Sequence, residues 1–353
     1  MDRRTFLLGT ALGTMGLSLP KVNGKQGNSD RMGIVVHSYA RRWNGTAESK
    51  KYPGFQNALD LIDHCHAIGA GGTQVMVNGW TKDFAKKVRD KREKYGLYLE
   101  GSIGLPKTAG DIPAFEKDVI NAREAGADVL RTVCLNGRRY ESFSSHEMFS
   151  DFKKKALASL QWAEPVMHKH GVKLAVENHK DWRAAELTGL LENIDSEWVG
   201  VTLDFGNSIA LLEDPMTVVE ILAPHVYSTH VKDMGVREYA EGFLLSEVPL
   251  GTGILDLPAM VATCQKYNPA VRFSLEMITR DPLKIPCLTE EYWRTFAGVE
   301  GPELARTLSM VRAKAAKTDL PKVEQLAEED RLATEEQNVL DSLAYSRDTL
   351  GLM

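Results

Sequence analysis

The strongest constraint on the fold of this chain is an alternation. Eight short apolar runs of strand character, at residues 33–39, 73–77, 98–105, 129–135, 173–179, 199–205, 226–231 and 272–278, are separated by stretches with helical spacing. The helical stretches fall near residues 56–68, 84–95, 114–125, 149–170, 184–193, 216–222, 257–267 and 302–315. Strands that alternate with helices pair in parallel, and eight such units close into a barrel because closure leaves no strand edge unpaired. The expected class is α/β, a (β/α)8 TIM barrel over residues 31–317. At 353 residues and 43% hydrophobic, the chain has the apolar content for such a core.

Both ends depart from the pattern. Residues 1–30 read as an export signal and linker, with Arg3-Arg4, then Thr5-Phe6-Leu7, opening a run to residue 19 that is too short and too rich in Gly and Thr to span a bilayer. This resembles the twin-arginine type of signal and implies a periplasmic protein; a disordered arm or an uncleaved anchor is the alternative. No second apolar run approaches membrane length. Residues 318–353 are charged and helical in spacing, with Val323, Leu326, Leu340, Leu343 and Ala344 on one apolar face. A helical extension clamped on the barrel wall is favoured there over a homo-oligomer contact.

A formal net charge of -5 provides no basic field for a phosphate backbone, so nucleic acid is not an expected partner. Cys65, Cys134, Cys264 and Cys287 lack C-x-x-C spacing and read as packing residues.

In a barrel of this kind the active site forms where the C-terminal strand ends meet the βα loops. Four consecutive later strands end in potential metal ligands: Glu177, Asp204, His230 and Glu276. A lone His or Asp at a strand end is usually hydrogen-bonded or caps the next helix. Four in phase are another matter, because three buried carboxylates repel one another unless a cation intervenes. Three oxygen donors and one nitrogen suit one divalent ion, Mn²⁺ first, with Co²⁺, Mg²⁺ or Zn²⁺ as alternatives.

The strand-end Glu177, the L-D-F-G-N element at Leu203 to Asn207, H-V-K-D at His230 to Asp233, the G-T-G-I-L-D turn at Gly251 to Asp256 and Glu276 together resemble the xylose-isomerase-like superfamily of sugar isomerases, epimerases and dehydratases. The resemblance covers roughly residues 32–315. It implies a mononuclear metal on Glu177, Asp204, His230 and Glu276, with Glu177 and Glu276 also transferring protons. Two positions depart from the ketose 3-epimerases: Asn207 stands where a His is usual, and Arg183 where an acid is. H-V-K-D is closer to inosose dehydratases, in which Lys232 would stabilise an enolate oxygen or a leaving group. The barrel is also that of the DNA-repair endonucleases for abasic sites, but their histidine-rich three-metal pattern is missing: Asn207, Lys232-Asp233, Glu100 and Cys134 occupy those positions.

Around this set, His179 is a candidate for substrate contact or for orienting a ligand, and Asn207 for substrate binding. His37, Arg41, Arg42, Trp43 and Trp80 follow strands one and two and either line a sugar pocket or pack in loops. Arg280 binds substrate or pairs with Asp281, and Glu100 is expected to pair with Arg131. The insert at residues 234–249, long for a βα loop, is a candidate lid. His64 and His66 read as solvated or packing.

The leading expectation is a metal-dependent sugar isomerase or epimerase acting by enediolate proton transfer on an unphosphorylated sugar or keto-sugar, with Glu177, Glu276 and Lys232 catalytic. Alternatives are a lyase or hydratase acting on 3-keto-glycosides or inosose-like ketones, supplied by an exported oxidoreductase that makes the ketone, and a sugar-binding barrel without catalysis.

Overall fold

Several of the strand–helix units are punctuated by residues of the type their ends require. Asn57, Thr81, Ser145 and Asp256 cap the helices Ala58–Ala67, Lys82–Tyr95, His146–His170 and Leu257–Tyr267, each side chain accepting from an amide of the first turn. Gly96 and Gly171, at φ of 66° and 61°, end two of them in the left-handed conformation that a Cβ disfavours. The computed structural model describes residues 31–43, 48–296, 298 and 301–352.

Eight parallel strands close the barrel: β1 (Gly33–Val35), β2 (Gly72–Met76), β3 (Tyr98–Ser102), β4 (Val129–Thr132), β5 (Lys173–Glu177), β6 (Val199–Asp204), β7 (Val226–Val231) and, after two further strands, β10 (Arg272–Leu275). The eight expected runs each contain one of these strands or overlap it closely. The first is shorter than its run because residues Val36–Tyr39 turn into a 3-10 helix. The barrel floor is filled by Tyr98, whose hydroxyl lies 2.9 Å from Ser274 Oγ. It fits because Gly33 and Gly72 lack side chains; a Cβ on Gly33 would lie 2.1 Å from the Tyr98 oxygen.

The insert at residues 234–249 is not a loop. Its residues form β8 (Asp233–Tyr239) and β9 (Gly242–Val248), an antiparallel hairpin that β11 (Leu283–Ile285) joins at the edge. Val236, Phe243, Leu245 and Ile285 are fully buried in a second apolar cluster, so this element is a packed sheet rather than a lid.

The C-terminal segment forms the helix Glu328–Asp348. Leu332, Val339 and Leu343 are buried, while Leu340, expected on the same face, is turned outward. Asn338 donates to Thr279 beyond β10, and Ser342 accepts from the Leu250 amide. The helix therefore braces the rim of the barrel mouth as well as its wall. All four cysteines are free thiols. Among the described residues no helix is long and apolar enough to cross a membrane. Residues 1–30, which carry the expected signal, lie outside the described residues.

Candidate metal centre

Strand register brings the four expected ligands to one level. Asp204 is paired with His230 across β6 and β7, His230 with Ser274 across β7 and β10, and the Glu276 amide donates to Val231 O. Each of Glu177, Asp204, His230 and Glu276 is buried, and each offers a ligand atom such that all lie within 4.8 Å of one another. His230 Nδ1 is 3.5 Å from Glu177 Oε2, 3.5 Å from Glu276 Oε2 and 3.9 Å from Asp204 Oδ2, with no hydrogen bond of its own.

The imidazole is oriented from behind. Gln74 Nε2 donates to Glu100 Oε2 at 3.1 Å, which fixes Gln74 Oε1 as the acceptor that lies 2.8 Å from His230 Nε2. His230 Nε2 therefore carries the proton in the neutral ring, and Nδ1 presents a lone pair to the three carboxylates. A buried imidazole nitrogen facing three carboxylates is a donor set that fits a divalent cation. Gln74 was not singled out from sequence; its signal is a polar side chain inside an otherwise apolar strand.

Charges of this chain compensate part of the cluster. Arg131 Nε donates to Glu177 Oε2 at 2.6 Å and Asn207 Nδ2 to Glu177 Oε1 at 3.0 Å. Lys232 Nζ is 2.5 Å from Glu276 Oε2 and 2.7 Å from Asp204 Oδ2, and His37 Nδ1 is 3.1 Å from Glu276 Oε1. Burial raises the Glu177 and Glu276 carboxyls, but Arg131 and His230 for the first, and Lys232 and His230 for the second, outweigh it and hold both well below the ordinary carboxylate value. Asp204 is raised, because burial and the neighbouring carboxylates exceed the pull of Lys232. Burial works against a charged His230, yet Glu276 and Glu177 lift it to about 9.

A cavity of about 1020 Å³ opens above this cluster. Glu276, Lys232, His37, His179, Arg280 and Arg131 line it, so most of the expected substrate-side residues converge there. Burial drives the His179 imidazole down to about 3, and its Nδ1 has no partner. Lys180, also on the wall, escaped the sequence reading because it lies outside the strand-end motif.

Several expectations are corrected. Trp80 is not on the cavity wall but in the barrel–helix core, edge-on to Phe84 at 5.3 Å. Asn207 lies beneath the cavity, joining Glu177 to Lys180, and is not among the lining residues. Glu100 does not pair with Arg131; the register sets Arg131 opposite Ser102, one step up the barrel, while Glu100 points to Gln74 and Ser228 on the floor. Arg280 pairs with Glu247 rather than Asp281, whose carboxylate accepts the amides of Val323 and Glu324. Arg41 and Arg42 hold the C-terminal segment through Glu324 and Glu336. His64 and His66 fit the solvated-or-packing expectation: His64 packs beside Tyr39, and His66 is exposed and stacks on Tyr95.

Comparison with known proteins agrees with this fold. A 3-oxo-isoapionate decarboxylase of Pectobacterium atrosepticum is 27% identical over 238 residues, which cover 66% of this chain and 80% of that protein. A D-psicose 3-epimerase crystallised with D-fructose superposes with a TM-score of 0.59 at 15% identity, over 91% of this chain and 99% of its own. The probable 3-DHS dehydratase AsbF of Bacillus anthracis gives a TM-score of 0.53 at 14% identity, over 69% and 91%. These two structures share the fold. The family model described as a xylose isomerase-like TIM barrel matches residues 62–297. The chain belongs to the xylose isomerase-like TIM barrel family.

Proposed function

We propose that this protein is a divalent-metal-dependent enzyme that transfers a proton at the carbon beside a carbonyl of an unphosphorylated sugar or keto-sugar, as an isomerase or epimerase. The observation that carries the reading is the burial of Glu177, Asp204 and Glu276 around the unpartnered Nδ1 of His230, directly below a polar cavity. A divalent ion held by these four residues, manganese in this reading, supplies Lewis acidity that makes the neighbouring C–H ionisable. Glu276 is the ligand that faces the cavity, and it is the base in this reading. Lys232 holds Glu276 Oε2 and adds positive charge where oxyanion character develops. His37 holds Glu276 Oε1, and neutral His179 and Arg280 orient the substrate's oxygens.

A second reading has a specific observation in its favour. Epimerisation through both faces calls for two working carboxylates, but Glu177 is engaged by Arg131 and Asn207 and does not line the cavity. One carboxyl group at the cavity wall suits a lyase, taking a proton where a β-substituent is expelled or returning one to the enolate where carbon dioxide is lost, consistent with the decarboxylase relative. The periplasmic location and the exported oxidoreductase as ketone supplier belong to this proposal and rest on Arg3-Arg4 and the apolar run after them.

Manganese-loaded protein incubated with ketoses and 3-keto-glycosides in D₂O tests the reading. Deuterium incorporation with an intact carbon skeleton supports the isomerase or epimerase. Release of a β-group or carbon dioxide moves the assignment to the lyase. Sugar binding without exchange or release overturns catalysis in favour of a binding barrel.

A further inference from the structure

The cavity walls are strongly basic: seven lysine and arginine residues face two carboxylates. Most of that charge is answered within the protein. Arg131 pairs with Glu177, Arg138 with Glu141, Lys232 with Asp204 and Glu276, and Arg280 with Glu247. Lys180 is the exception that matters. It is 4% exposed, and its Nζ is bonded to a neutral acceptor, Asn207 Oδ1, with no carboxylate in ion-pair range among the described residues. Its charged neighbours are Lys232 and Arg280, of like sign, and Glu247 and Asp204, of opposite sign, but those two carboxylates are already paired with Arg280 and Lys232. A buried ammonium with no carboxylate of its own is unfavourable until an anion reaches it. Lys107 and Lys155, both exposed on the cavity wall and without ion pairs among the described residues, extend the same field outward.

We propose that the substrate is anionic, a polyhydroxy keto acid whose carboxylate is received by Lys180. The proposal rests on the functional reading above and narrows its substrate class. Asn207 joins the two halves of the site, since its amide donates to Glu177 and accepts from Lys180. A carboxylate on Lys180 is thus one side chain away from the candidate metal cluster. Phosphate is the other anion a barrel of this type can take, and it is usually cradled by backbone amides. Here the amides of Gly251, Gly253 and Leu255 are filled by the Asp233 carboxylate, so the charge available to a ligand is on side chains.

Calorimetric titration of the manganese-loaded full chain with 2-keto-D-gluconate, D-fructose and D-fructose 6-phosphate tests this. The acid should bind at least about tenfold tighter than fructose, and Lys180→Gln should erase that margin by weakening the acid far more than it weakens fructose. Lys180→Arg should keep part of it. If the buried variants fail to fold, raising salt from about 0.05 to about 0.5 M with the unaltered protein should shrink the acid's margin and spare fructose. Equal binding of acid and fructose, tighter binding of the phosphorylated sugar, or a margin indifferent to both Lys180→Gln and salt overturns the proposal. Deuterium exchange into fructose without an acid preference removes only the anion site. An acid preference that depends on Lys180, with no exchange or release from any substrate, preserves the anion site and removes the catalytic reading.

Discussion

Gln74 Oε1 accepts from His230 Nε2 at 2.8 Å, and the amide is held for that task by Glu100 on the neighbouring strand. The prediction is that Gln74→Leu lowers affinity for Mn²⁺ by roughly 10- to 100-fold, because the imidazole loses the partner that fixes its tautomer and tilt. Metal titration followed by near-ultraviolet dichroism, to confirm an intact fold, measures it. Undiminished affinity would show that Nδ1 is oriented by something else.

The carboxylate cluster should make stability depend on metal. Mn²⁺ at about 100 times its dissociation constant should add about 2.7 kcal/mol to unfolding free energy, and a chelator should remove it. Glu276→Gln should reduce proton exchange by about 10²- to 10⁴-fold while sugar binding changes less, since the side chain that moves the proton differs from those that orient the substrate. Exchange at the unaltered rate would take Glu276 out of the reaction.

Arg42 and Glu336 join the loop after β1 to the C-terminal helix at 2.8 Å, with the guanidinium 4.1 Å from the Phe55 ring centre. Both side chains are largely buried, so removing Arg42 leaves Glu336 with His64, 3.3 Å away, in place of a permanent cation. Arg42→Ala is expected to cost about 3 kcal/mol in urea-induced unfolding. A loss below about 1 kcal/mol would mean that the pair behaves as a surface contact.

Glu335, on the same helix, supplies a pH dependence. Burial, against the smaller pull of the Arg41 amide and guanidinium, raises its carboxyl from 4.5 to about 7. The folded state therefore binds the proton more tightly than the unfolded chain. The favourable contribution is complete below pH 4.5 and is lost as pH rises through about 7. It amounts to about 3 kcal/mol at most. Glu335→Gln should flatten this part of the stability profile between pH 5 and pH 8, as read by thermal unfolding at a series of pH values. A profile of unchanged slope in the variant would place the pH dependence elsewhere.

Much of this arrangement can be read in the chain because strand period and strand end coincide. Glu177, Asp204, His230 and Glu276 each stop an apolar run, and barrel closure then has only one place to bring them. The side chains that escape are those whose partners are set by register rather than by spacing. Arg131 turns to Glu177 and Ser102, not Glu100, because β4 is shifted one step along β3. Gln74 and Lys180 acquire meaning only from neighbours 156 and 27 residues away. The β8–β9 hairpin reads as a long βα loop by length, although its alternation of Val236, Arg237, Phe243, Leu244 and Leu245 carries a two-residue period.

The helix Glu328–Asp348 contributes the rim contacts at Thr279 and Leu250, whereas the barrel itself closes where β10 meets β1 without any residue of that helix. Entrance and wall are thereby held by different parts of the molecule, so undocking of this one helix would leave a sealed barrel with a slack entrance.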